Sequence, residues 1–182
     1  MGKKLTFTQI KKELNKKNNA ELIDIICELC KISKEAEDRL NLILGNDRYI
    51  DEVLIAAKEK VRGQFFPKRG LGKLDLKAAK SEITSFKKMC NDLEKTLDLQ
   101  MYYVECGIEY TNAFGDISER FYNSMGKMYE TVINSLIDAE APLLIQKFMP
   151  RLEKAVSDTE GIGWGFHEDL YSSFLQIIDC EE

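Results

Sequence analysis

One histidine, one tryptophan and three prolines occur in 182 residues, and each scarcity removes a class of protein. A di-iron four-helix bundle needs Glu-x-x-His twice, which one imidazole cannot supply. A structural zinc site needs paired Cys/His couples, and the sole short-spaced pair is Cys27-x-x-Cys30. There is no Gly-x-x-x-x-Gly-Lys-Ser/Thr loop, no dinucleotide fingerprint after a strand and no Gly-x-Ser-x-Gly elbow, so the common nucleotide and hydrolase machinery is absent. No apolar run approaches the ~20 residues of a membrane helix. Five cysteines, an odd number, follow a basic start, Met1–Thr6, that no signal-peptide apolar stretch continues. Free thiols and cytoplasmic residence are expected. Few prolines, no Asn-Gly turn and no sustained apolar alternation leave little room for a sheet.

Helical periodicity is what the chain does have. Asn18 with Glu21 reads as a capping box for a helix carrying Leu22, Ile25, Ile26, Leu29 and Cys30 on one face, with Cys27 and Cys30 as core thiols. Ser33 caps the next helix, and Asp47 starts a longer one towards Phe65, which Pro67 and two glycines stop. A fifth follows Asp75, a sixth starts at Asn91, and a seventh starts from the capping-box-like Asp116-Ile117-Ser118-Glu119. Pro142 suits the first turn of an eighth, which Pro150 must kink or divide, and a last helix runs from about His167 to Ile178. The expectation is one all-α domain over 1–182: a compact array of eight to nine helices in antiparallel hairpins, either a bundle or an irregular HEAT-like stack.

The net charge of -5 is unevenly spread. Residues 1–90 carry 20 Lys/Arg against 13 Asp/Glu, and residues 91–182 carry 6 against 18. A basic half raises nucleic-acid binding as a weak alternative, which the overall acidity and the lack of a helix-turn-helix signature count against.

Two loops concentrate chemistry. Gly161-Ile162-Gly163-Trp164-Gly165-Phe166-His167-Glu168-Asp169 holds the only tryptophan and the only histidine. His167 is the candidate general base, with Glu168 or Asp169 beside it. Glu105, Glu109, Asp116 and Glu119 are possible oxygen ligands if they converge, although no metal or cofactor is expected. The plain structural reading makes the glycines a connector, Trp164 and Phe166 core plugs, and the carboxylates a favourable first helical turn. The second loop, Phe65-Phe66-Pro67-Lys68-Arg69-Gly70-Leu71-Gly72-Lys73, places Lys68, Arg69 and Lys73 before a helix start, an anion-binding arrangement if it is not merely solvated. With Trp164 these cations are the ligand-binding candidates. Tyr102, Tyr103, Tyr110, Phe121, Tyr122 and Tyr129 read as packing between the sixth and seventh helices.

Phe65-Phe66-Pro67-Lys68-Arg69-Gly70, Tyr102-Tyr103-Val104-Glu105-Cys106-Gly107, Phe114-Gly115-Asp116-Ile117, Phe121-Tyr122-Asn123-Ser124-Met125 and Gly163-Trp164-Gly165-Phe166-His167 together resemble a family of short, uncharacterised bacterial all-helical proteins. The resemblance spans nearly the whole chain and implies a bacterial cytoplasmic protein. It brings no activity, ligand or catalytic residue, and Pro150 departs from its pattern. The expected function is a non-enzymatic interaction protein that binds a protein partner or itself, on a surface flanked by Arg69 and the Trp164–Asp169 turn. The alternative is an enzyme centred on His167 with an anionic substrate on Arg69.

Overall fold

A computed structural model describes residues 4–44, 47–68 and 74–178. The described residues form helices and no strand, and they divide into two compact units, Met1–Tyr49 and Ile50–Glu182.

The first unit holds α1 (Phe7–Leu14), α2 (Asn19–Ile32) and α3 (Lys34–Ile43). Its helix starts follow the capping chemistry of the sequence. Thr6 with Gln9 and Asn18 with Glu21 are reciprocal capping boxes, each side chain satisfying the other's backbone donor. Ser33, extended at φ -137, closes α2 and caps α3 through the Ala36 amide, so one residue makes the hairpin. The unit buries little: Leu42 is its one buried apolar side chain among the described residues. The expected core thiols are not core here, because Cys27 is exposed and Cys30 half-buried. Helices this short present more apolar surface than two neighbours can cover, and Ile23, Ile26, Leu29 and Ile32 stay exposed.

The second unit contains α4 (Asp47–Phe65) from Ile50 on, α5 (Leu76–Cys90), α6 (Leu93–Phe114), α7 (Glu119–Asp138), α8 (Pro142–Ser157) and α9 (Phe166–Ile178). Helix α6 is its axis. Leu97, Leu99, Met101, Tyr103, Val104, Cys106 and Ile108 are buried around most of its circumference, which requires neighbours on several sides. Helices α5, α7 and α8 supply them, and α9 packs on α7 and α8. From α4, Phe65 is buried edge-on against Tyr103 and Phe121.

Two starts differ from the sequence expectation by a turn or less. Asp92 rather than Asn91 caps α6, because Asn91 takes the left-handed conformation (φ 51) that ends α5. Ser118 rather than Asp116 caps α7, its Oγ accepting from the Phe121 amide. Pro142 occupies the first turn of α8, and the helix continues undivided through Pro150.

Buried hydroxyls are all satisfied among the described residues. Tyr103 pairs with Ser124 at 2.9 Å, Tyr122 with Thr111 at 2.7 Å, and the Tyr129 hydroxyl donates to the Leu152 carbonyl at 3.1 Å. These bonds fix the α6, α7 and α8 register, because shifting one helix would leave a buried donor unmade.

Candidate functional site

The α8–α9 turn carries the histidine. After Ser157 the chain reverses through Gly161 and Gly165, both in the left-handed region (φ 79 and 70) that glycine adopts without steric cost. The Thr159 side chain is buried and its Oγ1 donates to the Val156 carbonyl at 2.6 Å. His167 Nδ1 lies 3.2 Å from that carbonyl and 3.2 Å from Thr159 Oγ1. A carbonyl only accepts, so the Val156 contact calls for a proton on Nδ1. The imidazole stacks on Tyr171, centroids 6.2 Å apart. His167 is thereby a clamp between the end of α8 and the start of α9.

The acid–base constellation expected around it is not assembled. Glu168 and Asp169 are exposed in the first turn of α9, where they complement the helix dipole. Nor do the four suspected oxygen ligands converge. Glu105 grips Arg151 and Glu109 grips Arg62, each bidentately at 2.7–2.8 Å. Among the described residues no three His, Cys, Asp or Glu form a group able to hold a metal ion.

Trp164 corrects the plug reading. Phe166 is fully buried against Tyr122, but Trp164 is 59% exposed. Its φ of 66 is left-handed, which costs a bulky L-residue about 1–2 kcal/mol. Of the cationic loop, Lys68 is exposed, and Arg69 and Lys73 lie outside the described residues. Phe65 anchors the loop's entry as expected, and Phe66 is half-buried beneath the Arg62 guanidinium, 4.7 Å from its ring.

The same end of this unit exposes a second large aromatic. Phe114, 58% exposed at the end of α6, packs on Tyr110 at 4.6 Å and on Phe66 at 6.3 Å. Two residues later Asp116 faces Gly163, where an added Cβ would stand 3.9 Å from Oδ2. The α6–α7 connection therefore joins the Phe66–Tyr110–Phe114 cluster to the turn bearing Trp164. Asn112 ties the two connections by donating to the Asp158 carbonyl at 3.1 Å.

Between α6 and α8 runs a cleft of about 760 Å³, whose apolar residues include Ile108, Ala113, Pro150 and Ala155. Its charged margin is internally compensated. Arg151 spans Glu105 and Asp98 (Nη1 to Oδ1, 2.7 Å), Lys58 adds a 2.8 Å bond to Asp98, and Lys154 reaches Asp158 at 2.6 Å. Burial alone would raise the Asp98 pKa, but hydrogen bonds from Lys58 and Arg151 outweigh it and hold the carboxyl below the usual range. Sequence reasoning missed this margin. Its signal was present as acids seven residues apart on α6, at 98 and 105, which meet Arg151 on α8, while Glu109 one turn on meets Arg62 on α4.

No protein-family model, no curated protein and no solved structure matches this chain. What it can do is read from these surfaces. Among the described residues no helix is long and apolar enough to cross a membrane.

Proposed function

We propose that this chain is a non-enzymatic helical interaction protein, and that it binds a segment of a partner protein or of a second copy at the end of the second unit where Phe114 and Trp164 are exposed. The observation that carries the reading is Trp164: a large aromatic side chain on a left-handed backbone that lies outside the buried core and is 59% exposed. Covering such a group returns apolar burial that folding did not collect, and tryptophan is the residue type most enriched among binding hot spots. Phe114 supplies a second anchor. The α6–α8 cleft, which reaches Asn112 and Asp158 beside them, offers an apolar floor for the segment that follows.

The test compares wild type with Trp164→Ala/Phe114→Ala in affinity capture from the native lysate and in sedimentation velocity of the purified protein. A partner, or a second copy, held by wild type and released at least about 30-fold more readily by the variant supports the reading, as expected for a hot spot of 2 kcal/mol or more. Equal recovery, or no partner and no self-association, refutes it. Both exposed positions tolerate alanine without a core cavity, so loss of folding does not confound the comparison.

A further inference from the structure

Cations on α4 and α8 of the second unit are held by carboxylates. Lys58, Lys60, Arg62, Lys147, Arg151 and Lys154 each meet an acid, and Lys95 on α6 meets Asp51. On the groove formed by α5 and α7 the pattern stops. Lys77 and Lys80 on α5 and Arg120 and Lys127 on α7 line one groove of about 550 Å³, and none of the four makes an ion pair among the described residues. Carboxylates outnumber cations 31 to 26 over the chain, so a shortage of acids does not explain the difference. One carboxylate, Glu119, lines the groove with them.

The placement follows from helical spacing. Lys77 and Lys80 are three residues apart and share a face of α5, and Arg120 and Lys127 are seven apart and share a face of α7. Seven residues is about 10 Å along a helix. Both helices start at the groove, but α5 is capped by the Asp75 carboxylate and α7 carries Glu119 in its first turn, so the positive potential there comes from the four side chains and not from the helix dipoles. Four like charges gathered in one concavity repel one another, a cost that a bound polyanion removes. Asn123 adds an amide donor, and Ser124, tied to Tyr103 at 2.9 Å, makes a fixed polar floor.

We propose that this groove binds a small molecule carrying two or more phosphate groups, Lys77 and Lys80 taking one end and Arg120 and Lys127 the other. The volume lies in the range of small-molecule sites, and cations from two helices line it. Arginine's planar fork suits one phosphate and the lysines act as point charges on the next. The groove is independent of the Trp164 surface, so the two readings can fail separately.

The experiment is calorimetric titration of the full chain with inorganic tripolyphosphate, with ATP and with a single-stranded oligonucleotide, at low and physiological salt. Saturable one-to-one binding of tripolyphosphate or ATP is expected, weakened about tenfold by either Lys80→Gln or Arg120→Gln and unaffected by Lys60→Gln, whose cation already has Glu82. Binding equal in all variants, no saturable binding at low salt, or tighter binding of the oligonucleotide with a many-nucleotide site overturns the proposal. Lys80 and Arg120 are exposed, and circular dichroism of each variant verifies the fold before its affinity is compared.

Discussion

Gly107 sits at the middle of α6, buried among Cys106, Ile108 and the α7 face. In a helix interior, glycine to alanine ordinarily stabilises by about 1 kcal/mol. Here the sign reverses. A Cβ on residue 107 would lie 2.2 Å from the Sδ and 2.9 Å from the Cγ of Met125, a side chain with no solvent exposure that would have to repack within the core. Displacing it costs about 1–3 kcal/mol of overpacking, so Gly107→Ala is expected to lose about 1 kcal/mol net, or about 3–5 °C in a unit of this size.

Two other helical glycines are the controls. A Cβ on Gly126 would meet Asp169 at 3.8 Å, ordinary contact, and one on Gly63 meets nothing within 4 Å. Gly126→Ala and Gly63→Ala should therefore gain up to about 1 kcal/mol. Met125→Ala alone opens a cavity, and the double variant Gly107→Ala/Met125→Ala should lose at least about 1 kcal/mol less than the sum of the singles. Urea and thermal unfolding followed by circular dichroism give the ranking. A Gly107→Ala protein as stable as wild type, or more so, refutes the claim that methionine sulfur fills the notch on α6.

Asp98→Asn removes the acceptor shared by Arg151 and Lys58. The expected loss is about 2 kcal/mol at pH 7, below that of a fully buried pair because a quarter of the Asp98 side chain is exposed. Its folded pKa is depressed, so this stability is present above the unfolded value near 4 and fades as pH falls through the folded one. The variant's stability should accordingly depend less on pH below about 5 in urea titrations. At the alkaline end burial pushes the Cys106 thiol up to about 11 and the Tyr103 hydroxyl up to about 12. Raised acids of this kind stabilise fully below their unfolded values and lose that contribution as pH climbs through the folded ones. Cys106→Ala should flatten the decline between about pH 9 and 11, and in wild type at pH 8 a thiol reagent should label exposed Cys27 before Cys106.

Helix existence was legible because capping and periodicity are local. Asn18 with Glu21, Ser33, Asp75 and Pro142 mark starts that need no tertiary information. Burial was legible only where a helix has neighbours on several sides. Tyr103, Tyr122 and Tyr129 were readable as core because α6 and α7 lie at the unit's centre, whereas the α2 stripe has helical spacing too and none of its residues is buried. Trp164 and Phe166 illustrate the limit most sharply: two aromatics two residues apart, of which the turn geometry buries one and extrudes the other. The oxygen-ligand set failed for a different reason. Glu105 and Glu109 lie one turn apart, but the decisive fact was that arginines from α4 and α8 reach them first.

The charge asymmetry of the sequence takes on a spatial meaning in the second unit. Lys58 and Arg62, from the basic half, are neutralised by Asp98 and Glu109 of the acidic half, so part of the imbalance is mortar between α4 and α6. What is left over is not spread evenly. Lys77 and Lys80 face Arg120 and Lys127, cations contributed by both halves of the chain to one groove. Net charge alone would have directed a search for anion binding to the amino-terminal lysines or to the loop near Lys68. Pairing, read helix by helix, directs it to α5 and α7, because a cation already held by a carboxylate has little attraction left for a ligand.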